Sequence, residues 1–223
     1  MHIVKLSLET LNLSEVIKQA GGGDYTSDTA IQITLDGAIK KALSLIEGQG
    51  IYQEFPAVSI EEGILVTTEP QTRPFHLPFP GNNRMVGVEA VTVFVVTIGG
   101  ILEQEVVEVF QQKEPLEGLF LDAAGSVAVE TIADQLNNTI TQDAVKQGWQ
   151  TSVRFSPGYC NWKIDLQRWV FQVLDTSGIG VRLTDSLLMI PQKTISGIIF
   201  QGKDLEPLNP CEECGREDCG DRR

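Results

Sequence analysis

The chain is short of several residue types on which enzymes commonly rely. It has only two histidines, His2 and His76, which lie far from each other and from the motifs described below. No Ser/His/Asp or Cys/His combination is therefore suggested. The GGGD run at 21–24 lacks the strand-to-helix context of a phosphate loop. These absences argue against a hydrolase and against a nucleotide-binding enzyme.

Positive charge and long apolar runs are also scarce. The chain has 17 basic against 30 acidic side chains, a formal net charge of −13. Such a surface is a poor partner for nucleic acid and for an anionic membrane. No run approaches the ~18 apolar residues of a membrane span, and the opening MHIVKLSLET lacks the apolar core of a signal peptide. We therefore expect a soluble, cytoplasmic protein.

Cysteine is rare but clustered. Three of the four cysteines, Cys211, Cys214 and Cys219, follow the spacing C-x2-C-x4-C, and the fourth is Cys160. Three thiolates suit zinc or an iron–sulfur cluster, both of which usually take four ligands, and Cys160 is the candidate for the fourth. The alternative is a disordered acidic tail whose cysteines are free, or a zinc clasp that caps the domain.

The length suits one domain over residues 1–200 and a cysteine-containing tail over residues 201–223. Apolar periodicity and turn residues predict the following strands and helices. The strands are His2–Leu6, Ala57–Ile60, Ile64–Thr67, Val91–Ile98, Val181–Thr184 and Thr194–Phe200, and the helices are Ser14–Ala20, Ser27–Glu47, Leu102–Gln111, Gly118–Lys146 and Trp162–Leu174. Ser14 is expected to cap the first helix, and Val91–Ile98 to be buried on both faces. The fold class is α+β, a twisted antiparallel sheet with long flanking helices on one side.

The most informative short motif is R-x-x-x-G-Y, formed by Arg154, Gly158 and Tyr159. Pro157 restricts its own φ and Gly158 accepts a positive φ, so the backbone is expected to turn sharply there. The turn brings a guanidinium and an aromatic ring to one mouth. A guanidinium offers a bidentate fork to a carboxylate and stays charged at physiological pH.

Four segments in one order resemble the activation domain of cobalamin-dependent methionine synthase. They are VFVVTIGGILEQEV (Val93–Val106), LDAAGSVAVETIAD (Leu121–Asp134), the R-x-x-x-G-Y motif, and IGVRLTDSLLMIPQKTISGIIF (Ile179–Phe200), in which Thr194 stands where a serine is common. The resemblance covers roughly residues 90–200. It implies a module that binds S-adenosylmethionine and presents the methyl group to an oxidised corrinoid.

The resemblance also implies which residues bind the ligand: Arg154, Ser156, Gly158, Tyr159 and Glu130. Arg154 is expected to hold the α-carboxylate, Glu130 the α-ammonium, and Tyr159 to stand at the methyl-transfer mouth. Each assignment has a structural alternative. The arginine can tie down the turn through backbone carbonyls, the tyrosine can be a core residue, and the glutamate can pair with a lysine on the helix surface. Asp122 is the weaker candidate for the ammonium.

The resulting functional hypothesis is a stand-alone reactivation component for a cobalamin-dependent methionine synthase or a related corrinoid methyltransferase. The cobalamin would be carried by a partner protein, and a low-potential electron donor would supply the reduction. The protein contributes binding and orientation. Two alternatives remain: an iron–sulfur redox partner of a corrinoid protein, and a non-catalytic interaction module.

Overall fold

A computed structural model of the chain describes residues 1–23, 25, 27–68, 74–79, 85–159 and 162–205. It contains nine strands, numbered in chain order: β1 (His2–Leu6), β2 (Gly48–Ile60), β3 (Gly63–Val66), β4 (Phe75–Leu77), β5 (Ala90–Thr97), β6 (Gln150–Thr151), β7 (Arg182–Leu183), β8 (Met189–Ile190) and β9 (Thr194–Gly202). Five α-helices accompany them: α1 (Leu13–Gln19), α2 (Thr29–Leu45), α3 (Ile101–Gln111), α4 (Pro115–Lys146) and α5 (Leu166–Val173). None of the helices in the described ranges combines the length and apolarity that a membrane crossing requires.

One antiparallel sheet of seven strands organises the molecule. Its order is β4-β3-β2-β5-β9-β6, with β1 also paired to β2, while β7 and β8 form a separate pair. Every pairing is antiparallel. The α+β class and the antiparallel sheet predicted from the sequence are therefore confirmed.

The central strand β5 separates two hydrophobic cores. Val91, Val93 and Val95 belong to the core on one face, whereas Phe94 and Val96 belong to the core on the other. Side chains alternate across a strand, and all eight residues of β5 are buried. The prediction of a strand buried on both faces is confirmed.

The long helices cover one face of this sheet, which we call the helix face. Helix α4 has 32 residues, a length of about 48 Å at 1.5 Å per residue. It contacts α1, α2 and α3 as well as the sheet. The first helix is capped by Asn12, whose Oδ1 accepts a hydrogen bond from Ser14 N at 3.0 Å, so the prediction of Ser14 as the cap is wrong by two positions.

The second face, which we call the aromatic face, is covered by α5, the 3-10 helix Thr176–Ile179 and connecting loops. Helix α5 is shorter than predicted because Trp162 is held in a turn: its backbone N–H donates to Tyr159 O at 2.9 Å and its indole N–H to Pro78 O at 3.0 Å. The apolar spacing of Trp162 thus reflects burial from a turn and not from a helix.

Strand β2 was predicted only in its second half. It begins at Gly48, three residues after the end of α2 at Leu45, and runs through Pro56. A proline lacks the N–H that a ladder uses, but Pro56 lies where the neighbour on one edge of β2 changes from β1 to β3. At the other end of the sheet β9 continues through Gly202, and Leu205 is buried in the aromatic-face core.

Candidate functional site

The candidate site begins at the edge of the sheet, in the segment 150–155 beside β9. Thr151 pairs with Gln201, and Phe155 forms an isolated bridge with Ile198. Four steps along this segment therefore oppose three along β9, which is a β-bulge. The Ser152 N–H donates to Phe200 O at 2.9 Å, and the Phe155 N–H to Ile198 O at 2.9 Å.

The bulge places Arg154 on the helix face. Phe155 is buried among the aromatic-face residues, so its neighbour Arg154 points to the opposite side of the segment, toward α4. Thr151 faces α4 as well, because its Oγ1 lies 2.8 Å from the Oγ1 of Thr141. The edge segment is thereby bonded to the long helix at both ends.

Arg154 contacts two carboxylates that lie one helical turn apart on α4. Its Nη2 lies 2.5 Å from Glu130 Oε2, and its Nη1 donates to Asp134 Oδ1. The Arg154 side chain is 12% exposed, whereas those of Glu130 and Asp134 are 47% and 52% exposed. The Arg154 guanidinium is therefore largely buried, whereas the two carboxylates lie at the solvent-exposed edge of the site.

The R-x-x-x-G-Y turn continues directly from this cluster. Gly158 has φ +91°, and its N–H donates to Trp162 O at 3.1 Å, while the Tyr159 N–H donates to Ser156 O at 3.1 Å. The predicted sharp turn is confirmed. The Tyr159 side chain is 64% exposed, which excludes the alternative of a core tyrosine.

The segment Ile179–Phe200 contains turns that are hydrogen-bonded to the rest of the fold. Thr184 Oγ1 accepts from Leu188 N at 3.0 Å, and Arg168 of α5 donates to Asp185 O at 3.0 Å. Gly197 leaves no room for a side chain, because a Cβ there would lie 2.6 Å from the ring of Phe94. These motif positions have structural roles in the fold.

Asp122, the weaker candidate for the ligand ammonium, has a partner elsewhere. Its Oδ1 lies 2.8 Å from Lys193 Nζ, which also donates to Ser126 Oγ at 2.8 Å. Thr194, next to Lys193, donates to Pro191 O at 2.7 Å. The two bonds of Lys193 fasten the loop before β9 to α4, so they give Asp122 a structural role.

Comparison with known proteins identifies the family. The family model for the activation domain of vitamin B12-dependent methionine synthase matches residues 82–221 of this sequence. These residues include β5, α4, the R-x-x-x-G-Y turn and β9. The chain belongs to this family. No curated protein matches the chain.

The family fold is also found by structural comparison. A crystal structure of the MetH reactivation domain bound to AdoHcy matches this activation domain with a TM-score of 0.63. Sequence identity is 15%, and the match covers 92% of this chain and 79% of that one. The resemblance stated from the sequence is therefore confirmed for the family and for the fold.

Within this activation domain the structure brings together two of the predicted site residues, Arg154 and Glu130, in direct contact. Ser156, Gly158 and Tyr159 follow in the adjoining turn. Asp134 was missed. Its signal was its position four residues after Glu130, which puts both carboxylates on one side of the helix.

Cys160, Cys211, Cys214 and Cys219 all fall outside the described residues, so the metal site remains a prediction. Within the described ranges no group of His, Cys, Asp and Glu side chains has the arrangement of a metal site. An open depression of about 480 Å³ lies between α5, the 3-10 helix and β7, and its lining includes neither Arg154 nor Glu130.

Proposed function

We propose that this chain binds S-adenosylmethionine at the Arg154 cluster and supports reductive methylation of the cobalamin of a methionine synthase. The observation that carries the proposal is the contact of Arg154 with Glu130 beside the R-x-x-x-G-Y turn, in a chain of the activation-domain family. The AdoHcy bound to the structural neighbour has the same amino-acid end as S-adenosylmethionine and adds support.

The groups of the cluster fit the amino-acid end of this ligand. A guanidinium has five N–H donors, so Arg154 retains donors for a ligand carboxylate beyond the two bonds that it makes to α4. Glu130 and Asp134 supply carboxylate oxygens for the ligand ammonium. Because α4 and the edge segment fix these groups before binding, less ordering of side chains is required on association.

The adjoining turn suits the other end of the ligand. Gly158 adopts a φ that other residues rarely take, and the turn that it completes between Ser156 and Tyr159 leaves Tyr159 exposed. An exposed aromatic ring attracts a cation by its π face, and the ligand carries a sulfonium. We assign Tyr159 to orienting the sulfonium.

The chemistry comes from the ligand and from a corrinoid partner: the sulfonium supplies the methyl group, and an external donor supplies the electron that cobalt(II) needs. This chain contributes binding and orientation. The formal net charge of −13 favours a partner face that is basic, so docking should weaken as salt increases.

Calorimetry with S-adenosylmethionine tests the binding site. Arg154→Ala should cost about 1.5–3 kcal/mol, the value for a charged hydrogen bond, or an increase in Kd of about 10- to 150-fold. Arg182→Ala, in the exposed start of β7, is the matched control and should leave Kd unchanged. Equal Kd values for wild type and Arg154→Ala would remove Arg154 from the site.

Visible spectroscopy tests the role in reactivation. The chain, a corrinoid protein, a low-potential reductant and S-adenosylmethionine should together convert the cobalt(II) spectrum to that of the methylated cofactor, and omission of any one should prevent it. Failure to bind the ligand, without iron in the purified protein, would favour a non-catalytic interaction module that kept the fold and lost the ligand. Failure to bind the ligand, with iron in the anaerobically purified protein, would favour the iron–sulfur alternative.

A further inference from the structure

The segment 150–155 directs two side chains toward α4 that a regular strand would send to opposite faces. Thr151 and Arg154 are three residues apart, and the side chains of a strand alternate between its two faces. Both nevertheless contact the long helix: Thr151 Oγ1 lies 2.8 Å from Thr141 Oγ1, and Arg154 Nη2 lies 2.5 Å from Glu130 Oε2. The extra residue of the β-bulge between them allows both to face α4.

A buried serine occupies this bulge. Ser152 is 4% exposed, and its Oγ accepts a hydrogen bond from Phe200 N at 3.0 Å and donates one to Val153 O at 2.7 Å. In a regular ladder continued from Phe155, the Phe200 N–H would reach the Val153 carbonyl directly. The hydroxyl is therefore inserted between two backbone groups that a regular ladder would join.

We propose that Ser152 is a positioning residue for the ligand site, because its hydroxyl holds the bulge that lets Arg154 reach α4. The inference rests on the proposed function. Without the hydroxyl, the Phe200 N–H and the Val153 carbonyl lose the partner that they share, and an unpaired buried backbone group is costly. A regular ladder without the extra residue would turn either Thr151 or Arg154 away from the long helix.

The expected effect of losing the hydroxyl is a loss of pre-organisation. The guanidinium of Arg154 would be less firmly placed before binding, and a ligand carboxylate would have to order it on association. The apparent Kd rises as the fraction of molecules with the guanidinium in place falls. The range for an unpaired buried group sets this rise at about 5- to 50-fold. It should not exceed the rise caused by removing the Arg154 side chain itself.

Calorimetry of the full chain with S-adenosylmethionine tests the inference through a double-mutant cycle of Ser152→Ala and Arg154→Ala. Ser152→Ala should raise Kd by about 5- to 50-fold when Arg154 is present. It should raise Kd by less than about twofold in the Arg154→Ala background, because no guanidinium then remains to be positioned. Ser152→Thr keeps the hydroxyl and should bind as wild type does. If Ser152→Ala does not fold, Ser152→Cys takes its place in the cycle, since a thiol is only a weak donor and acceptor.

Thr176→Val is the matched control. The Thr176 hydroxyl is also buried and also donates to a backbone carbonyl, that of Val181 at 2.7 Å. Its removal should lower the free energy of unfolding in urea but leave Kd unchanged.

Three outcomes would overturn the inference: an unchanged Kd in Ser152→Ala, the same fold-increase in both backgrounds of the cycle, or an equal increase in Thr176→Val. Each would mean that the serine acts on stability and not on the placement of Arg154. A wild type that does not bind S-adenosylmethionine would instead overturn the proposed function itself.

Discussion

The two faces of the sheet are covered by different kinds of side chain. On the helix face, small and aliphatic side chains of α2 and α4 repeat at helical spacing, among them Ala38, Ala42, Ala124 and Ala128. On the aromatic face large rings fill the space under loops and a helix of 8 residues. Phe155, Trp162 and Phe200 contact one another there, with ring centroids 5.5–6.2 Å apart.

This difference indicates a division of labour. Regular rows of small side chains let α2 pack closely on α4, and α4 on the sheet, which stabilises the fold. Irregular packing under turns allows the direction of a single side chain to be set independently of its neighbours. The candidate site lies at the junction, where Arg154 points to the helix face and the next residue, Phe155, to the aromatic face.

The largest loss of stability should come from a substitution that creates a cavity on the helix face. Ile132 of α4 is fully buried, so Ile132→Ala should lower the free energy of unfolding by about 2–5 kcal/mol. Ile33→Ala, on α2 where the side chain is 67% exposed, is the matched control and should change it little. Urea denaturation measures both. Equal effects of the two substitutions would contradict the assigned packing.

A single ring on the aromatic face should contribute less. Trp162→Phe keeps the aromatic contacts but removes the indole donor to Pro78 O, which should cost about 1–3 kcal/mol. Trp149→Phe, at a half-buried position just beyond α4, is the control. If Trp162→Phe lowered the free energy of unfolding as much as Ile132→Ala, the two faces would not differ in their contribution to stability.

The same glycine substitution should have opposite signs in the two regions. Gly158→Ala imposes a side chain on φ +91° and should destabilise by about 1–2 kcal/mol. Gly37→Ala lies in the middle of α2 with no atom near the new Cβ, and it should stabilise by about 0.5–1 kcal/mol. Thermal unfolding of the two variants checks this. A destabilised Gly37→Ala would show that α2 is not helical at that position.

The smallest effect concerns charge at the rim of the helix face. Lys41 of α2 contacts Glu105 at 2.5 Å and Glu117 at 3.0 Å, and hydrogen bonds to Glu105 and then Glu117 raise its pKa above 10.5. Because the side chain is 37% exposed, Lys41→Met should cost only about 0.2–1 kcal/mol at neutral pH.

The pH dependence of this pair follows from the direction of the shift. A raised pKa in the folded state means that the stabilisation is complete below the unfolded value of 10.5 and is lost as pH rises through the folded pKa. The difference in unfolding free energy between wild type and Lys41→Met should therefore vanish in strong alkali. A difference that persisted there would assign the loss to packing of the aliphatic stem and not to charge.

The sequence predicted the helix face better than the aromatic face, for a physical reason. The rows that pack α2 and α4 repeat every three or four residues, so their periodicity records the burial directly. Trp162 is buried by a turn, and Pro56 is accommodated at a change of strand neighbour. Both depend on contacts between distant segments, which periodicity does not record.

The candidate site was likewise predicted in part. The R-x-x-x-G-Y motif and the match of Glu130 to the family indicated two charged residues of one site, and these two are in contact. The contact between Arg154 and Asp134 spans 20 residues of sequence and depends on the β-bulge beside β9. The spacing of Glu130 and Asp134 puts both carboxylates on one side of the helix. The bulge leaves no distinctive residue pattern, so the contact of Asp134 with Arg154 is found only from the structure.

Beta strand β6 and the segment that follows it form an outer edge of the sheet, and this position has a consequence for local opening. Among the described strands the segment is bonded to β9 on one side only, whereas β5 is bonded on both sides. Amide protons of Ser152 and Phe155 should consequently exchange with solvent faster than those of β5, through openings that leave the rest of the sheet intact. A ligand that joins Arg154 to α4 would have to suppress those openings. Slower exchange at these two amides, with β5 unchanged, would mark its binding.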